Sequence, residues 1–257
     1  ELLMALSLEE SAHHDPYRVL TKAEVSGEKF SVTGSKKFVL DGHIADKLIV
    51  VARSAGKSDS RDGLTLVLVD READGVKVTR TIMADSRNAA NVEFDGAQGV
   101  LLGEAGKGVE ILDKVLDVGR ILLSAEMLGG LQECFERTVE YLKVREQFGV
   151  PIGSFQALKH RAAQMFCELE LTKSSVMAAM RAADENSNEL QRLSSLAKTV
   201  AGETLHLVSN EAVQMHGGIG VTDEYDIGFF LKRGRVAEQI YGGIKFHTER
   251  YANLSGF

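Results

Sequence analysis

The sequence predicts an α+β chain in which an antiparallel β domain, residues 1–103, is followed by a four-helix-bundle domain, residues 104–257. Three observations carry that reading. Short Val-, Ile-, Phe- and Thr-rich runs alternate with Gly, Asp and Ser up to about residue 102. Beyond "LLGEAGKG", residues 101–108, apolar residues recur at steps of three and four. The chain of 257 residues is long enough for two such units, each with its own core.

In the first part the strand-like runs are "EKFSVTG", "KLIVVAR", "LTLVLVD", "GVKVTRT" and "ANVEFDG", at the spacing of hairpins. The second part opens on a long amphipathic helix through Leu112, Val115, Leu116, Leu123, Leu128, Leu131, Phe135, Val139 and Leu142, reaching the region of Arg145. A second helix runs through Leu158, Met165, Phe166, Leu169, Val176 and Met180. A third runs through Leu190, Leu193, Ala197, Val200 and Val208, after the polar "DENSNE". A last one spans 227–251 and is interrupted at Gly242. Pro151 lies between the first two helices, where it breaks neither.

Composition excludes several classes of function. A formal charge of -7 argues against a nucleic-acid backbone as partner, since that affinity comes from clustered Lys and Arg. No apolar run approaches the ~20 residues of a membrane span. Cys134 and Cys167 form no CxxC pair and read as buried or half-buried thiols of a reducing compartment, so a cytoplasmic protein is expected. "ELLMALSLEE" has neither the basic leader nor the cleavage site of a signal peptide. His13, His14 and Asp15 lack a further ligand at metal-site spacing and read as surface residues, so no metal is expected. "KHR" at 159–161 reads as a solvated helix start.

Three stretches combine chemistry with unusual backbone. "REQFGVPIGSFQ" places Arg145, Gln147 and Phe148 at a helix junction, a guanidinium, an amide and an aromatic suited to a phosphate beside a flat ring or, equally, to a helix-end ion pair and packing. "QMHGGIG", residues 214–220, brings Gln214, Gly217 and Gly218 to the end of a helix, where backbone approaches a ligand closely or simply turns. "IYGGIKF" kinks the last helix.

In this order, with "LLGEAGKGVEILDKVLDVGR" before them and "SLEES" and "GSKKFVLDGHIAD" in the β part, these motifs resemble the acyl-CoA dehydrogenase family of flavoproteins over nearly the whole chain. The resemblance implies an N-terminal helical domain, of which this chain carries none, then the middle β domain and the C-terminal bundle seen here. It implies FAD bound between the two and shared across a subunit interface. Arg145, Gln147, Phe148, Gln214, Gly217 and Gly218 would then contact a neighbour's cofactor.

The resemblance also marks departures. Glu9 stands where the family has a flavin-bonding Thr, and "FVLDG" puts Phe38 and Leu40 where "WITNG" has Trp and Thr. The family's reaction removes an α proton from an acyl-CoA thioester with a Glu base while a hydride leaves the β carbon for the flavin. That Glu follows the Tyr matching Tyr241, or sits in "DLER" on the long helix. Here the two positions are Gly242 and Gly119, and glycine moves no proton. The nearby carboxylates are Asp117, Glu126, Glu238 and Glu249.

The expectation is an acyl-CoA dehydrogenase subunit acting on an acyl-CoA, with a bulky acyl group favoured by the small residues. A paralogous partner would supply the base, and Arg120 and Arg145 would be structural and cofactor-positioning. The alternatives are a homomeric enzyme with a relocated carboxylate, and a scaffold or interaction protein of the same fold.

Overall fold

The computed structural model describes residues 2–257 and divides into two compact units, one ending at Val115 and the other beginning at Leu116. The first holds seven strands: β1 (Met4–Ser7), β2 (Lys22–Ser26), β3 (Lys29–Leu40), β4 (Lys47–Arg53), β5 (Leu64–Asp70), β6 (Val76–Ile82) and β7 (Asn88–Leu102). Pairing runs β4–β2–β3–β7–β5 and back to β4, a closed circuit, with β6 added along β7 and β1 along β4. Closure leaves few unpaired edges.

Two of the expected five strands, β4 and β5, have the boundaries read from the sequence. Burial on both faces explains why: Leu48, Val50 and Val51 of β4 and Leu64, Val67 and Val69 of β5 are all buried, so both strands are nearly continuous apolar runs. The expectation of an antiparallel domain holds for most pairs and is corrected at two. β1 pairs β4 in parallel, Met4 opposite Lys47, and β2 meets β4 in parallel at Lys22 and Arg53. β1 and β2 had no periodic signal because each is too short to show one.

The buried Arg53 closes this unit. Its guanidinium donates to the carbonyls of Val19, Tyr17, Ser60 and Asp62 at 2.7–3.1 Å, tying the loop before β2 to the loop before β5. Burial lowers its pKa, while Asp59 and Glu10 pull it back up.

After β7 come α1 (Gly108–Val144), a two-stranded hairpin of β8 (Glu146–Gln147) and β9 (Val150–Pro151), then α2 (Gln156–Asp184), α3 (Leu190–His216), α4 (Ile227–Gln239) and α5 (Ile244–Leu254). The last predicted helix is therefore two, divided at Ile240–Gly243. The core of this unit joins Leu123, Met127, Leu131, Met165, Leu205, Val208 and Ile227, the periodic residues of α1 to α4. Cys134 is buried, and burial pushes its thiol up to about 12, which makes it inert. Cys167 is exposed, against expectation, because it falls on the outer face of α2.

Candidate functional site

Arg145 stands at the end of α1, where the chain enters the β8–β9 hairpin. The hairpin turns on Phe148 and Gly149, both with positive φ (57° and 79°), the geometry of a two-residue turn that matches strand twist. It lifts Phe148 to 92% exposure, edge-on to Phe155 with ring centroids 6.0 Å apart. Among the described residues the Arg145 guanidinium has no hydrogen bond or ion pair, and Gln147 Nε2 donates only to its neighbour, the Glu146 carbonyl, at 2.8 Å.

Tyr141, one turn before Arg145, joins this hairpin to the second motif. Its ring stacks on His216 at 4.2 Å and its hydroxyl donates to the His216 carbonyl at 3.3 Å. His216 is the last residue of α3, and the chain leaves it through Gly217, whose φ is 65°. Gln214, Gly217 and Gly218 are exposed, and a Cβ on either glycine would meet nothing within 4 Å. The two motifs that the sequence singled out are thus brought together, each with an open face. An unpaired guanidinium, an exposed aromatic ring and bare backbone suit a diphosphate and an adenine.

Tyr241 and Gly242 lie in the α4–α5 connection. Tyr241 has φ 57° and Gly242 φ 109°, conformations disfavoured for a side-chain-bearing residue. Gly119, on α1, sits directly beneath Tyr241: a Cβ there would be 3.1 Å from Tyr241 Cε2. The Tyr241 ring thus lies against Gly119, and Gly242 follows Tyr241 directly in the chain. At Gly119 the space a side chain would take is bordered by the Tyr241 ring.

Below this locus lies a buried polar cluster. Arg120 Nη1 and Arg250 Nη2 approach Asp117 Oδ1 at 3.0 and 2.8 Å, and Ser194 Oγ donates to the same oxygen at 2.8 Å. Asp117 is 1% exposed and so committed that it has no place in proton abstraction. Arg120 Nε donates to the Tyr241 carbonyl at 3.1 Å. His247 Nε2 is 3.0 Å from the same carbonyl, which assigns that nitrogen the proton and leaves Nδ1 to accept from Ser195 Oγ at 3.3 Å. Burial first, then the charges of Arg120 and Lys198, hold His247 down to about 2, so it stays neutral.

The other carboxylates named from the sequence each have a basic neighbour, within hydrogen-bond distance only at Glu126. Glu126 Oε1 accepts from Arg233 Nε at 2.7 Å, Glu238 faces Arg235 at 3.8 Å and Glu249 faces Lys245 at 3.8 Å.

In the first unit, Lys36 is buried and donates to the Leu8 carbonyl at 3.1 Å and to Glu10 Oε1 at 2.8 Å. Burial lowers its pKa against the pull of Glu10. For Glu10, burial acts upward, but the Lys36 charge and hydrogen bonds outweigh it and leave the carboxyl below its usual range. This pair holds the loop that carries Glu9, whose carbonyl accepts from Lys37 N at 2.7 Å, next to Phe38. Phe38 has φ 51° at a bulge of β3 and is half-exposed, and Leu40 pairs with Ala89. His14, expected at the surface, is 5% exposed in its side chain, with Nδ1 2.5 Å from Glu9 Oε1; the carboxylate draws it in. Among the described residues no group of three or more His, Cys, Asp or Glu is arranged to hold a metal.

Lys198, His247 and Arg250 escaped the sequence reading. A signal existed for Lys198: it falls on the apolar face of α3, between Ala197 and Ala201, both in the core.

Two family models match: acyl-CoA dehydrogenase middle domain over residues 4–97 and acyl-CoA dehydrogenase C-terminal domain over residues 106–249. The chain belongs to the acyl-CoA dehydrogenase family. Among similar curated proteins are the mitochondrial short/branched chain specific acyl-CoA dehydrogenase of Bos taurus, 30% identical over 91% of this chain and 55% of the relative, and acyl-CoA dehydrogenase IpdE2 of Mycolicibacterium smegmatis, 34% identical over 82% and 59%. The chain thus spans about half the length of the curated relatives it matches. Among solved structures, butyryl-CoA dehydrogenase from Megasphaera elsdenii superposes with TM-score 0.91 at 27% identity, covering 98% of this chain and 67% of that one. A Tcur3481-Tcur3483 steroid ACAD variant superposes with TM-score 0.87 at 30% identity, covering 98% and 66%. No helix among the described residues is long and apolar enough to cross a membrane.

Proposed function

We propose that this chain is one subunit of a heteromeric, FAD-dependent acyl-CoA dehydrogenase, cytoplasmic, whose paralogous partner supplies the base for α,β-dehydrogenation of a bulky acyl-CoA. The observation that carries the reading is that Gly119, against the Tyr241 ring, and Gly242, next to it, bring no carboxylate to this locus, while the buried Asp117 is held by Arg120 and Arg250. A locus so furnished orients and walls a substrate but takes no proton from it.

The retained half-site supports the same reading. Arg145, Gln147 and Phe148 on the hairpin, with Gln214, Gly217 and Gly218 beside it, would hold the diphosphate and adenine of a flavin dinucleotide, which when bound supplies the hydride acceptor. Arg145 would place its guanidinium on phosphate oxygens and Phe148 would cover the base. On the other side, Glu9 and Leu40 offer the flavin ring neither of the hydroxyl donors expected there. The steroid ACAD among the similar structures supports a bulky acyl group.

Proton exchange at the acyl-CoA α carbon in D2O tests this without turnover. The chain alone is expected to leave a steroid-type acyl-CoA unlabelled and the assembled pair to label it. Labelling by the chain alone would mean a carboxylate of its own acts as base and would overturn the proposal.

A further inference from the structure

Tyr241 and Gly242 hold consecutive positive-φ backbone, 57° and 109°, and for a residue with a side chain such a conformation persists where surroundings over-determine it. Three donors from three helices do so here. Arg120 of α1 and His247 of α5 share the Tyr241 carbonyl at 3.1 and 3.0 Å. Lys198 of α3 takes the rest: its Nζ donates to the Ala237 carbonyl at 2.9 Å, to Glu238 at 2.7 Å and to Gly242 at 3.2 Å. Those acceptors are the last carbonyls of α4, which no further helical turn satisfies, and the carbonyl of the bend itself. One ammonium thus ties the end of α4 to Gly242, all three of its protons used.

We propose that Lys198 is the positioning residue of the α4–α5 bend, fixing Tyr241 over Gly119 and so shaping the wall at which the substrate is met. The position of the ring follows from geometry; its meaning as a substrate wall rests on the reading under Proposed function. No carboxylate neutralises the ammonium directly. Glu238 of α4 raises its affinity for a proton, Arg120 of α1 opposes it, and Asp117 is spent on Arg120 and Arg250 of α5. Arg235 of α4 faces Glu238, and His247 of α5 is neutral. From α2 the side-chain polar contacts to α3 include Thr172 with Thr204 and Arg161 with Glu211, further along the helix. Burial, the largest influence, brings Lys198 down to about 7.

The test uses the full chain with its five tyrosines labelled as 3-fluorotyrosine, the Tyr241 resonance assigned by Tyr241→Phe. No flavin or substrate is needed, so failure here is separable from failure of the functional reading. Lys198→Met, similar in length and without a donor, is expected to move the Tyr241 resonance towards that of a solvated fluorotyrosine. Val176→Ala, in a core cluster that does not include Tyr241, is expected to lower stability and leave the resonance in place. A folded Lys198→Met with an unmoved Tyr241 signal would overturn the proposal. Should that variant not fold, Lys198→Gln, which keeps an amide donor at the site, decides: a smaller displacement of the Tyr241 resonance in the same direction supports the proposal, and an unmoved resonance refutes it.

Discussion

The ring of Tyr241 lies on the bare backbone of Gly119, its Cε2 3.1 Å from the place a Cβ would take. Residues 122 positions apart thereby share one locus, and the absence of a side chain on α1 is what lets the ring settle. Gly119→Ala sets a small overpacking cost of about 1 kcal/mol against a gain in helix propensity of about 1 kcal/mol. Its thermal midpoint should stay within a few degrees of wild type, whereas a fall of more than ten degrees would show that the ring cannot yield.

Gly242 behaves differently, because its φ of 109° suits no L side chain and the residue is buried. Gly242→Ala should lose about 1–3 kcal/mol in urea unfolding, from backbone strain alone. The same strain means that Gly242→Glu cannot simply reinstall a base.

Asp117 neutralises two guanidiniums away from water. Asp117→Asn should cost roughly 3–5 kcal/mol, as one-sided loss from a buried ion cluster does, measurable by denaturant melts. A loss under about 1 kcal/mol would show that water reaches Arg120 and Arg250.

His247 makes stability acid-sensitive, with a definite sign. Its pKa is held to about 2 in the folded chain, against an ordinary value near 6.5. Between those values the unfolded chain binds a proton that the folded chain does not, so stability falls as pH drops below about 6.5. From pH 6.5 to 5 the share of this one group is about 2 kcal/mol, at about 1.4 kcal/mol per pH unit. The wild-type minus His247→Gln difference in unfolding free energy should shrink by about that amount over the same interval. A difference independent of pH would contradict the burial argument.

Much of this was legible in the sequence, for identifiable reasons. β4, β5 and the apolar stripes of α1, α2 and α3 announce themselves because burial imposes period. The hairpin at Phe148 and the turn at Gly217 were visible as residue types, though not that Tyr141 and His216 unite them. The parallel β1 and the partners of Lys198, His247 and Arg250 were not legible. Strand pairing and buried polar contacts join residues far apart in the chain, and no local pattern records them.

Arg145→Ala and Phe148→Ala remove exposed groups and should change stability by no more than about 0.5 kcal/mol. On the present reading both lower the flavin content of the assembled enzyme. Unchanged flavin in the double variant would remove this hairpin from the cofactor site.

The most direct measurement is the flavin absorbance of the purified chain, alone and after co-expression with a paralogous acyl-CoA dehydrogenase subunit. The account predicts colour only in the pair, at one FAD per two chains. A full complement of FAD in the chain alone would contradict it and return the search for a base to this chain's own carboxylates.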